Sequence, residues 1–190
     1  MLARLGLLAL VALAGLGAGS GPGRAGTGSY VVAIDGRGFR VGDLVWRWGA
    51  HNRSVTLADF IGVYGRPSSC RERVRFDASV RWRRPGIRGF FTTLGGTTRP
   101  GDTGCSAPRV IHPDTVDVFR RAWRTQRGLH VGDTLVRLRA LYPRASRHGP
   151  RWWLVVRKND PLFGTYGQLV AGIRDGKVSF LRLVLHAQGD

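Results

Sequence analysis

Histidines, carboxylates and cysteines are the side chains that could carry chemistry here: five His, twelve Asp plus Glu and two Cys in 190 residues. Nucleophilic catalysis needs a nucleophile beside a base that a third group orients. His51, His112, His130, His148 and His186 are scattered, and none sits in a Gly-x-Ser-x-Gly elbow or a His-Glu-x-x-His helix. His112-Pro-Asp114 is the one close histidine–carboxylate pair in a loop, and it reads as a surface or capping feature. Glu72 is the sole glutamate, so any acid–base pair for glycoside hydrolysis would have to come from aspartates. Gly95-Gly96 lacks the lysine and spacing of a phosphate loop. We therefore expect no catalytic residue, no metal ligand set and no cofactor. A cell-envelope hydrolase is the alternative, and it would require His112 or His130 within reach of an aspartate.

Cys70 and Cys105 are the only cysteines. Two isolated cysteines without a histidine cluster do not complete a tetrahedral metal site. An even count in an exported chain favours one disulfide instead, which would stabilise by about 3–4 kcal/mol in the chain-entropy picture. Export is expected because Met1-Leu-Ala-Arg4 and the apolar run from Leu5 to Ala18 have the form of a signal peptide. That run is shorter than the roughly 20 apolar residues a membrane span needs, so no span is expected after cleavage. The chain is placed outside the cell or on its envelope.

Charge points to partners. Thirty basic residues face twelve acidic ones, for a net charge of +18. In an exported protein this favours acidic proteins or anionic envelope polymers over specific nucleic-acid recognition. Arg71, Arg73 and Arg75 alternate with Glu72, Val74 and Phe76, and Arg81 and Arg83 alternate with Val80 and Trp82. With residues 77–79 as the loop of a hairpin, Arg75 would oppose Arg81 and Arg73 would oppose Arg83. Val74, Phe76, Val80 and Trp82 would share the buried side. Like charges facing one another across strands leave a face that wants water, carboxylates or an external anion. Trp152-Trp153 point to opposite faces of their strand, one to the core and one partly exposed.

The elements that hold these residues fall into a repeated order. Arg37-Gly-Phe-Arg-Val-Gly-Asp43 recurs as Arg127-Gly-Leu-His-Val-Gly-Asp133. A helix follows each: one opened by the capping box Thr56-Leu-Ala-Asp59 and closed at Gly65-Arg-Pro67, the other capped by Asp133 and stopped by Pro143. Strands are expected at 30–34, 39–41, 44–48, 87–94, 152–157, 169–174 and 178–185. Asp35-Gly36 and Asp175-Gly176 read as hairpin turns. In the second hairpin Ile173 should face Val178 and Ala171 should face Phe180. Residues 112–127 read as a short helix or irregular link followed by an extended lead into the second helix. The expected organisation is α+β: a signal peptide (1–20), a flexible lead-in (21–29), a first helix-plus-antiparallel-sheet repeat (30–94), a connecting loop (95–122) and a second repeat (123–190).

A helix, then a short antiparallel sheet, then the same again resembles the tandem arrangement of beta-lactamase inhibitory protein. Tyr64-Gly-Arg-Pro-Ser-Ser-Cys70, Val80-Arg-Trp82, Leu141-Tyr-Pro143, Trp152-Trp-Leu154 and Asp175-Gly-Lys-Val178 are similar to segments of exported actinobacterial proteins without an assigned activity. The first resemblance is one of architecture and implies an inhibitor of a secreted enzyme. From the residues themselves we expect a noncatalytic binding protein that turns Arg71, Arg73, Arg75, Arg81 and Arg83 toward an acidic protein or anionic envelope polymer.

Overall fold

The computed structural model describes residues 29–35, 38–47, 55–72, 77–93, 104–159 and 165–187. The expected signal peptide, the lead-in up to residue 28, Arg73 and Arg75 with Val74 and Phe76, and the loop at 94–103 lie outside the described residues. Among the described residues the fold is α+β and mostly sheet. In chain order come β1 (Val31–Asp35), β2 (Gly38–Val41), β3 (Leu44–Arg47), α1 (Leu57–Tyr64), β4 (Ser69–Glu72), β5 (Ala78–Trp82), β6 (Ile87–Thr93) and β7 (Ile111–Val118). They are followed by β8 (Arg124–Thr125), α2 (Leu135–Leu141), β9 (Ser146–His148), β10 (Arg151–Asn159), β11 (Thr165–Arg174) and β12 (Lys177–Ala187).

The strands form a four-stranded sheet, β3-β2-β1-β8, and an eight-stranded sheet, β4-β5-β6-β7-β12-β11-β10-β9. Within the larger sheet, β4–β7 and β9–β12 are two antiparallel meanders joined side by side at β7 and β12, where Val118 faces Leu181 and Val116 faces Leu183. Alternation assigns the faces: Val80, Trp82, Ile87, Val116, Val118, Leu181 and Leu183 are buried on one side, and their chain neighbours point the other way. At about 0.8 kcal/mol per buried methylene, this apolar side is the main source of stability.

Both helices are tied to their meanders by polar contacts at their ends. The Asp59 carboxylate accepts from the Thr56 amide (2.8 Å) and hydroxyl (2.9 Å), so the capping-box residues pair at the start of α1. Phe60 is fully buried and meets the Phe91 ring edge-on, 5.2 Å between centroids. At the far end the Trp82 indole donates to the Gly65 carbonyl at 2.8 Å. The second cap differs from expectation. Thr134, not Asp133, caps α2 and accepts from the Arg137 amide at 3.2 Å. Asp133 is still in the preceding turn, where its side chain accepts from the His130 amide (2.8 Å) and its carbonyl from the Val178 amide (2.8 Å).

Two further differences have clear causes. Residues 111–118, read as part of a connecting loop with a short helix or irregular link, form the central strand β7. Pro113 is tolerated there because the register with β6 shifts at that point, Phe90 facing Thr115 and Phe91 facing Pro113. The β4–β5 hairpin pairs Ser69 with Arg81, Cys70 with Val80, Arg71 with Ser79 and Glu72 with Ala78. Arg81, expected to face Arg75, therefore faces Ser69, and Arg83, expected to face Arg73, lies in the turn beyond β5. The shift is by an even number of residues, so it keeps every side chain on its face, and hydrophobic alternation cannot detect it. The Cys70–Cys105 disulfide ties β4 to the segment that precedes β7. In the β11–β12 hairpin Ile173 faces Val178 as expected, but a bulge then sets Gly172 against Phe180 and Ala171 against Leu181.

Candidate functional site

The polar side of the eight-stranded sheet carries one row of residues in register across every strand. From edge to edge it reads Ser69, Arg81, Arg88, Asp117, Arg182, Val170, Trp153 and Ser146. At about 4.8 Å between strands the row is roughly 34 Å long, the width of a protein–protein contact.

Its centre is an ion cluster on β6, β7 and β12. Asp117 is 3% exposed, and both its oxygens are taken up by two arginines. Arg182 donates through Nε to Oδ1 (2.5 Å) and through Nη2 to Oδ2 (2.9 Å), and Arg88 donates to Oδ2 through Nη2 (2.6 Å) and Nε (3.2 Å). The two cations differ in role. The Arg182 side chain is 19% exposed and its guanidinium also lies over the Phe180 ring, 5.2 Å from the centroid. Its pKa is raised, first by the hydrogen bonds to Asp117, so it holds its proton firmly. The Arg88 side chain is 57% exposed and only leans on the carboxylate.

Beside the cluster is a shallow cavity of about 180 Å³ lined by Ser79, Arg88, Phe90, Thr115, Asp117 and Arg182. Arg81 stands directly across from Arg88. Two cations in register repel, and Asp117 neutralises one of them, so the cavity rim keeps a net positive charge. Arg81 is further held over the Phe119 ring, 5.4 Å from its centroid.

The other half of the row is Val170, Trp153 and Ser146, and the aromatic Phe180 lies on the same face. The Phe180 ring covers Gly172, where an added Cβ would come 2.0 Å from it. The Trp153 indole is half-buried and stacks on His148, 3.7 Å between centroids and 17° between planes. Trp152 points to the core, as the opposite-face reading of the pair required.

Of the five expected binding arginines, Arg71 and Arg81 share this face as diagonal neighbours on β4 and β5. Arg83 is exposed in the turn after β5, where its backbone bonds Ser68 and Arg120. Arg73 and Arg75 lie outside the described residues. Reading the sequence missed Arg88, Asp117 and Arg182. Arg88 carried a signal, since it alternates between Ile87 and Gly89; Asp117 fell in a segment mistaken for a link.

His112 and His130 are held by different parts of the backbone. His112 Nδ1 is 2.8 Å from the Val55 carbonyl, and His130 Nδ1 is 3.3 Å from the Arg121 carbonyl. No group of three or more His, Cys, Asp or Glu among the described residues could hold a metal ion. No helix among them is long and apolar enough to cross a membrane. Cys70 and Cys105 are joined, their Cα atoms 6.0 Å apart. No protein-family model, curated protein or solved structure matches the chain.

Proposed function

We propose that this is an exported, noncatalytic binding protein whose open eight-stranded face takes an acidic protein partner. The observation that carries the reading is the in-register row, which is cationic in one half (Arg81, Arg88, Arg182) and runs on through Val170 to Trp153 in the other, with the Phe180 ring lying next to Arg182. Arginine and tryptophan are among the residue types that dominate binding energy at interfaces, and side chains held on a sheet need less ordering on binding than those on a loop. The basic half steers an acidic surface on approach and the other half supplies buried area. A flexible anionic polymer would use the charges but not the other half, so a folded partner is favoured. A secreted enzyme is one such partner, which keeps inhibition within the same reading.

We also infer that the chain is internally duplicated. In its favour, each copy of the Arg-Gly-x-x-Val-Gly-Asp motif precedes a helix and then a four-stranded meander, and the two meanders adjoin through their last strands. The motif glycines Gly42 and Gly132 both have positive φ, +57° and +100°. The helix-terminal tyrosine of each copy points back to its own motif region: Tyr64 donates to the Val41 carbonyl, and Tyr142 bonds Thr125.

The test is retention on immobilised serum albumin, an acidic protein, at about 50 mM salt, comparing Arg81→Glu/Arg88→Glu with the charge-matched Arg121→Glu/Arg137→Glu away from the face. The reading predicts that the first pair loses retention and the second keeps it. Equal losses would reduce the effect to net charge and sink the proposal.

A further inference from the structure

The short edge strand β9 leaves much of β10 uncovered. It pairs with Arg151, Trp152 and Trp153 alone, while β10 continues to Asn159 with its inner edge laddered to β11 apart from a bulge at Leu154. From Leu154 onward, no strand among the described residues pairs with the outer edge. Alternate backbone amides and carbonyls there face outward, a ready template for another strand. Proteins blunt such edges with charge or proline; β10 carries Arg157 and Lys158 toward its end, while in its middle Val156 is 44% exposed.

Alongside this edge runs a groove of about 470 Å³. Its far wall is the segment that leaves α2, with Tyr142, Pro143 and Arg144, and its near wall is Trp153 to Val156. Arg127 lies at its rim, its guanidinium over the Tyr142 ring (5.1 Å) and one Nη1–H on the Leu141 carbonyl (3.1 Å). That contact caps the carbonyl end of α2 and leaves further N–H groups on Arg127. Arg144 is exposed and pairs with no acidic side chain among the described residues. The groove is thus an open strand edge beside an apolar floor, with two cations and no fixed anion among its lining residues.

We infer that this groove is a second binding site, which takes an extended acidic peptide segment as an added strand on β10, antiparallel and continuing the line of β9. Main-chain pairing with β10 supplies the geometry. Carboxylates on the face of the peptide that shares the side of Leu154 and Val155 meet Arg127 and Arg144, and apolar side chains on its other face pack beside Trp153 and Val156. The inference does not rest on the open-face reading, because the groove lies beside the sheet edge and shares only Trp153 and Ser146 with the row.

The probe is a fluorescein-labelled acetyl-Glu-Val-Glu-Val-Glu-Val-amide, followed by anisotropy and by hydrogen exchange of the full chain. Binding should slow exchange of backbone amides between Leu154 and Asn159. N-methylation of one alternate set of peptide amides should weaken binding at least about tenfold, and of the other set less than about twofold, because one set alone faces the edge. Arg144→Glu should weaken it about fivefold or more, while Arg81→Glu/Arg88→Glu leaves it within about twofold. Equal loss for both N-methylated sets, equal binding of the lysine counterpart, or no added protection at Leu154–Asn159 would overturn the inference. So would a dimer in sedimentation that protects this edge without peptide, which would give the site to a second copy of the chain.

Discussion

Replacing Asp117 by asparagine isolates the central cluster. The change keeps the shape and removes the charge that two guanidiniums share through four hydrogen bonds. The cost is unequal between them. Arg88, at 57% side-chain exposure, regains water and loses at most about 1 kcal/mol of ion-pair energy. Arg182, at 19%, is left packed over Phe180 with its charge poorly compensated, and breaking such a pair typically costs about 3 kcal/mol. Urea denaturation should therefore show Asp117→Asn destabilised by about 2–4 kcal/mol, a fall in midpoint of roughly 1–2 M for slopes near 2 kcal/mol/M. Adding Arg182→Met removes the stranded charge, and the double variant should recover most of the loss. Arg88→Ala alone should cost less than about 1 kcal/mol. A loss below about 1 kcal/mol for Asp117→Asn, or no recovery in the double variant, would refute the assignment of Arg182 as the buried partner.

Three other outcomes are expected. Reducing Cys70–Cys105, whose sequence separation is 35, should lower unfolding free energy by about 4 kcal/mol; an unchanged denaturation midpoint under reductant would contradict this. Stability should fall as pH rises above about 10, because burial raises the pKa of both Tyr64 and Tyr142 above the ordinary 10.0. Unfolding lets each ionise, so the stabilisation is complete below pH 10 and is lost toward the raised value, at up to about 1.4 kcal/mol per pH unit per tyrosine. A flat profile from pH 9 to 12, or the same slope in Tyr64→Phe/Tyr142→Phe, would disprove it. Among glycines, Gly172→Ala must displace the Phe180 ring and should cost about 1–3 kcal/mol, whereas Gly62→Ala, in α1 with open space around it, should stabilise by roughly 0.5–1 kcal/mol; thermal melts that rank the two the other way would contradict the packing described.

How far the sequence could be read follows from what is local. Thr56 and Asp59 pair as a capping box because that contact spans one helical turn, and Asp175-Gly176 makes its turn because the conformation depends on two residues; Asp175 has a φ of +51°. Faces were legible too: Val80 and Trp82 are buried, and Arg81 between them is exposed. Registers were not, because an even slip between β4 and β5 changes every partner and no face. The binding face depends on that missing layer. Arg88, Asp117 and Arg182 are far apart in the chain and meet only because β6, β7 and β12 are neighbours. Pro113 also argued against a central strand at β7, and only its position at a shift of register removes the objection.

The most direct measurement of the central claim blocks the open face by size alone, independent of charge. Both natural cysteines are bonded to each other, so Ser79→Cys, in the cavity beside Arg88, supplies a single thiol for maleimide-polyethylene glycol, and Arg137→Cys on α2 supplies the control. On immobilised serum albumin at low salt, the polymer at position 79 should abolish retention and the polymer at position 137 should leave it unchanged. Full retention with position 79 covered would contradict the assignment of this face as the binding surface.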